Sequence, residues 1–165
     1  MPAAVPTTSI ATLYSDHHGW LQGWLRGKLG NASQAADLAH DTYVRLMQSR
    51  RADFGAQPRA FLTHVAKGLL VDHWRRQDVE RAYLDTIALL PEAQAPSPET
   101  RLLVLETLYR VEAMLRALPP QTREIFLLAQ LDELSYQQIA DRRAISLATV
   151  KRHMRAAFLA CLAAA

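Results

Sequence analysis

Near the C-terminus, Ser146, Thr149, Lys151, Arg152 and Arg155 have the types and spacing to meet a polyanion. Lysine and arginine pair with phosphate oxygens, and short hydroxyls at the start of a helix reach base edges. That chemistry needs all five held on the outer side of one helix. The run LSYQQIADRRAISLATVKRHMRAA, residues 134–157, supplies such a frame. Ser135 caps a first helix, Ile139 and Ala140 give it a small apolar side, and Ser146 caps a second. Val150 and Met154 are four apart, so they turn one face of the second helix inward and leave the cations outside. The pattern predicts a helix-turn-helix whose basic second helix can enter a major groove. The plainer reading is a helical hairpin with a solvated cationic face. The small residue, the corner and the cation cluster coincide, and together they favour DNA. At the corner Arg143 and Ala144 stand where glycine would sit most easily, and alanine in a left-handed turn costs about 1 kcal/mol.

A second set falls on the run that starts at Pro58, where Lys67, Arg75 and Arg76 are interleaved with His73 and Trp74. A basic helix with aromatics suits a single nucleic-acid strand, because cations follow phosphates and rings stack on unpaired bases. On spacing alone Trp74 serves equally well as a core residue. A third set, Asp37, Asp41, Arg45 and Gln48, shares one side of SQAADLAHDTYVRLMQS and reads as a wet face or a partner face. His17, His18, His40, His64 and His73 lack a compact ligand motif, and the chain has neither HExxH nor a glycine-rich phosphate loop. A helical metal hydrolase is therefore a poor fit, and we expect no catalysis, metal or cofactor.

The elements that carry these sets are helical throughout. From Ser9, Leu13, Trp20, Leu21, Trp24, Leu25 and Leu29 recur at helical spacing up to Gly30-Asn31, and the two tryptophans read as core anchors. Ser33 is expected to cap the next helix, with Leu38, Thr42, Leu46 and Ala35, Ala39, Tyr43, Met47 as its inner rows. After a loop at 50–57, Pro58 opens a helix to about Gln77 with Phe61, Val65, Leu69 and Leu62, Ala66, Leu70 inside. Residues 81–97 carry Pro91 and Pro96, Asp85 and Glu92, and no cation beyond Arg81, which reads as an exposed acidic linker. Ser97-Pro98 starts a helix that Leu102, Leu105, Leu108, Val111, Glu112 and Leu115 continue to Leu118, Pro119-Pro120 break it, and residues 123–130 form a short apolar helix. The expected fold is all-α: a mobile tail at 1–8, a helical domain at 9–80, a flexible acidic linker at 81–97, and a four-helix domain with the helix-turn-helix at 98–165.

The chain has 165 residues, half of them apolar, and a formal net charge of +3. Arg142, Arg143, Lys151, Arg152 and Arg155 lie together with Asp141 as their one acidic neighbour, so the local field outweighs the net charge. The lone Cys161 has no disulfide partner in the chain and reads as a small filler of the last helix. The N-terminus lacks the pattern of a secretion signal, and no run of about 18 apolar residues is present. The cytoplasm is the expected location.

Taken together, DLAHDTYVRL, then PRAFLTHVAKGLLVDHWRRQ, then LPPQTREIFLLAQLDELSYQQIADRRAISLATVKRH resemble a bacterial RNA polymerase sigma factor of the extracytoplasmic-function group. The resemblance spans nearly the whole chain, and VDHWRR and ATVKRH look most like the iron-starvation branch, which serves siderophore and ferric-citrate uptake. It implies promoter-specific initiation with core RNA polymerase and promoter DNA as partners. Asp37, Asp41 and Arg45 would meet the clamp helices of the largest polymerase subunit. Lys67, His73, Trp74, Arg75 and Arg76 would meet the minus-ten element as flipped, unpaired bases, and Ser146, Thr149, Lys151, Arg152 and Arg155 the minus-thirty-five element. It also implies a membrane-anchored anti-sigma regulator. Two departures from the family pattern stand out: Gly68 replaces a common asparagine, and Arg143-Ala144 replace the usual leucine and glycine. The alternative is a stand-alone helix-turn-helix activator whose N-terminal half senses a signal or dimerises.

Overall fold

The computed structural model describes residues 9–49 and 54–165. The expected tail at 1–8 and the first part of the expected loop, residues 50–53, lie outside the described residues. Among those described there are seven α-helices, one short 3-10 turn and no strand. The chain divides into two compact units, Met1–Asp78 and Val79–Ala165.

The first unit holds α1 (Ile10–Leu29), α2 (Ala32–Gln48) and most of α3 (Pro58–Ile87). The Ser9 hydroxyl accepts from the Thr12 amide and starts α1, and Gly30 at φ 68° ends it in the left-handed conformation that only glycine takes at little cost. α2 begins two residues earlier than Ser33 suggests. Asn31 is the cap, its Oδ1 accepting from the Gln34 amide at 3.0 Å, because asparagine caps as well as serine and directly follows the Gly30 turn. Leu13, Leu21, Leu25, Leu38, Leu46, Leu62 and Leu70 form the buried centre, with Ala35, Ala39 and Ala66 allowing close approach. Each buried leucine contributes about 1.5–3 kcal/mol of transfer free energy. Trp20 and Trp24 pack against this core as half-buried anchors, and the Arg59 guanidinium lies 5.1 Å from the Trp20 ring centre. Met47, expected on an inner row, is instead 53 % exposed.

α3 does not stop near Gln77 but continues to Ile87. Residues 78–87 contain neither glycine nor proline, and the first breaker is Pro91. The first seven residues of the stretch expected as linker are therefore helical. Residues 88–97 then run through the 3-10 turn Glu92–Gln94, exposed except at half-buried Pro96.

In the second unit α4 (Pro98–Ala117), α5 (Pro120–Gln130), α6 (Tyr136–Arg143) and α7 (Leu147–Ala164) follow one another. Ser97 caps α4 and Pro98 occupies its first turn, as the sequence predicts. Pro120 similarly opens α5 three residues before the expected start at Arg123. The small core is Ile125, Ile139, Ala140, Val150 and Met154, where α5, α6 and α7 meet. α4 runs as a helix from Pro98 to Ala117, but none of its residues is fully buried, and Leu102 and Val111 are exposed. Its packing within the unit is mainly on α7.

Candidate nucleic-acid interface

α6 is fixed at its start by a reciprocal cap. The Gln138 amide donates to Ser135 Oγ at 3.2 Å, and the Ser135 amide donates to Gln138 Oε1 at 2.8 Å. The helix ends at Ala144 with φ 52° and ψ 43°, the left-handed corner that the sequence pattern placed there. The Ile145 amide then closes back on the Ala140 carbonyl at 3.0 Å. Ser146 starts α7 by accepting from the Thr149 amide at 3.1 Å, and the two hydroxyls lie 2.9 Å apart. Both hydroxyls thus hold the helix start in shape, with Ser146 exposed and Thr149 half-buried.

Val150, Met154 and Ala157 are buried, so α7 keeps one face inward. Lys151, Arg152 and Arg155 are exposed, and no carboxylate pairs with any of the three among the described residues. Unpaired cations on a rigid helix are cheap to desolvate against phosphate and release counterions on contact. The fold therefore brings this set together on one side of one helix.

Arg143, counted with the cation cluster, has a different task. Its Nη1 donates to Glu124 Oε1 at 2.6 Å and ties the corner to α5. A second cross-helix bond joins Thr122 Oγ1 and His153 Nδ1 at 2.8 Å, between α5 and α7. Arg123 Nη2 donates to the Arg116 and Leu118 carbonyls, fastening the α4–α5 turn. These ties join residues up to 31 apart, and no local sequence signal announces them.

The α3 set is divided. Lys67 and Trp74 are exposed and seven residues apart, which is close to two whole turns, so they share a side. Trp74 is 43 % exposed, which makes its ring available for stacking. His73 and Arg76 face α2 instead, lining a polar cleft of about 340 Å³ with Asp41, Arg45 and Asp72. Arg75 is half-buried. A Cβ added at Gly68 would meet nothing within 4 Å.

On α2, Asp37, Asp41 and Arg45 are all exposed and form a row at four-residue spacing. Around the helix from them, Tyr14, His18 and Tyr43 form an aromatic group, with Tyr14 stacked on His18 at 4.4 Å and edge-on to Tyr43 at 5.0 Å. Burial, and secondarily the Tyr14 phenol, push the Tyr43 hydroxyl up to about 12. Among the described residues no group of three His, Cys, Asp or Glu side chains could hold a metal ion, and no helix is long and apolar enough to cross a membrane.

Residues 13–80 match the family Sigma-70 region 2, and residues 108–161 match Sigma-70, region 4. The chain is 45 % identical over 161 residues to the ferric citrate uptake sigma factor FecI of Escherichia coli, covering 96 % of this chain and 93 % of that one. It is 29 % identical to the ECF RNA polymerase sigma factor SigE of Mycolicibacterium smegmatis, over 74 % of this chain and 48 % of that protein. Against the ECF RNA polymerase sigma factor SigW of Bacillus subtilis the identity is 26 %, over 74 % and 71 %. With a region-2 body, a region-4 body ending in a basic helix-turn-helix, and a near full-length relative, the chain belongs to the sigma-70 family, in its extracytoplasmic-function group.

Proposed function

We propose that this sigma factor escorts core RNA polymerase to promoters of ferric-citrate or related siderophore uptake genes. The observation that carries the reading is the 45 % identity, over nearly the whole of both chains, to a relative named for ferric citrate uptake. In this reading Asp37, Asp41 and Arg45 on α2 meet the polymerase clamp. The row Ser146, Thr149, Lys151, Arg152 and Arg155 meets the minus-thirty-five element, the hydroxyls toward bases and the cations toward phosphates.

α3 supplies the other grip. Trp74 and Lys67 offer a ring and a cation to an unpaired strand, with Arg75 beside them, while His73 and Arg76 lie toward α2, where a melted base would pass close to the polymerase-binding face. Holding unpaired bases lowers the free energy of the melted promoter relative to the duplex, so opening needs no fuel. Nucleotidyl transfer is done by the polymerase and its magnesium ions. Residues 88–97 join the two grips, the protein works in the cytoplasm, and a membrane-anchored anti-sigma regulator holds it in check.

Deleting the gene and measuring transcripts under iron limitation with ferric citrate tests the reading. Transcripts of ferric-citrate or siderophore uptake genes should fall severalfold. Unchanged uptake transcripts alongside a loss of some other set would overturn the iron assignment.

A further inference from the structure

α7 is held to its unit chiefly by Val150, Met154 and Ala157, an apolar row spaced four and three apart. Apolar contact is non-directional, so such a row fixes distance much better than it fixes rotation of the helix about its own axis. Rotation matters here. A turn of about 20° moves a group about 6 Å from the axis by about 2 Å, enough to make or lose a hydrogen bond.

Between α5 and α7 the Phe126 and Phe158 rings meet edge-on at 5.9 Å, with Phe158 44 % exposed, and a hydrogen bond beside Lys151 and Arg152 opposes such a turn directly. Thr122 is 3 % exposed, and its Oγ1 lies 2.8 Å from Nδ1 of His153, the residue directly after Arg152 and two after Lys151. Rotating α7 away would leave a buried hydroxyl without a partner, which native structures avoid. The other polar tie, Arg143 to Glu124, acts at the corner, and its side chains are 35 % and 48 % exposed, so water competes for it. We propose that Thr122 and His153 are positioning residues for promoter reading: their hydrogen bond sets the rotation of α7 and so the aim of the short side chains, Ser146 and Thr149, that it turns toward bases. The inference rests on α7 being the helix that reads the minus-thirty-five element.

The test uses holoenzyme, the full chain with core polymerase, and compares affinity for a promoter with its native minus-thirty-five element and for one with that element substituted. Thr122→Val removes the hydroxyl at constant shape, and His153→Gln puts its amide where Nε2 lies instead of Nδ1. Each should lower discrimination about tenfold, and the double variant should do no worse than either alone. Thr122→Ser and His153→Asn, whose amide falls near the Nδ1 position, should keep discrimination. The slope of affinity against salt should not move, because the long side chains of Lys151, Arg152 and Arg155 still reach phosphate after so small a turn. A lower unfolding midpoint in Thr122→Val and His153→Gln with discrimination intact would overturn the proposal, leaving a packing bond only. Loss of discrimination in His153→Asn but not in Thr122→Val would also overturn it, since His153 would then touch DNA itself. Failure of the underlying reading looks different: the parent holoenzyme would not discriminate at all, which rejects both.

Discussion

Arg143 reaches back 19 residues to Glu124, its Nη1 2.6 Å from the carboxylate, and so braces a corner whose next residue, Ala144, sits at φ 52°. The brace and the strained residue are adjacent. A left-handed alanine costs about 1 kcal/mol, and an exposed ion pair returns up to about the same amount. Replacing Ala144→Gly should therefore raise stability by about 1 kcal/mol, read as a higher urea midpoint at unchanged slope. A midpoint that falls would mean that Ala144 makes a contact which outweighs its backbone strain.

Tyr43 gives the protein an alkaline limit. Its hydroxyl is buried without a hydrogen-bond partner, and burial raises its pKa from 10.0 to about 12. The unfolded chain then ionises first, so the contribution of this group is intact below pH 10.0 and is lost as pH climbs to about 12. Tyr43→Phe should flatten that part of the stability–pH curve. At neutral pH it should change stability little, or raise it by up to about 1 kcal/mol by removing an unpaired buried hydroxyl. Denaturant titrations at neutral pH and across the alkaline window check both.

Lys151 is exposed and lacks an acidic partner, so its ammonium is available to DNA. Lys151→Ala should weaken holoenzyme binding to promoter by about 1 kcal/mol and make the dependence of log affinity on log salt shallower by about 0.9. Equal salt slopes in variant and parent would take Lys151 off the phosphate.

Trp74 presents 43 % of its surface on the side shared with Lys67. One base stacked on an aromatic ring contributes about 1–3 kcal/mol, so Trp74→Ala should cut the open-complex population about tenfold or more at unchanged closed-complex binding. Permanganate reactivity of promoter thymines measures it. Normal reactivity would assign the ring to packing.

Local chemistry made much of this legible in the sequence. The serine caps at Ser9, Ser97, Ser135 and Ser146, the Gly30 stop and the Ala144 corner each depend on a few neighbouring residues, and each lies where the pattern puts it. Ser33 failed because two good cap residues stood two apart, and the turn before Asn31 decided between them. α3 outran its expected end because charged residues suit helix as well as linker, and only proline or glycine would have stopped it. α4 shows the limit of periodicity: its leucines recur as an inner row should, but nothing in the spacing reveals that too little of the unit packs there to bury them. The candidate sites divide in the same way. The α7 row is a matter of helical phase and was readable. The separation of Lys67 and Trp74 from His73 and Arg76 depends on where α2 lies, and the Thr122–His153 bond on tertiary packing, so neither was.

As a sigma factor, the protein is expected to act on a promoter only together with core polymerase. Run-off transcription from a matched promoter, with core enzyme alone, with this protein alone and with both, tests it most directly. A promoter-specific transcript is expected only from the combination, lost when either promoter element is scrambled. No promoter-specific transcript from the combination, with tight sequence-specific duplex binding by the protein alone, would contradict it and favour a stand-alone activator.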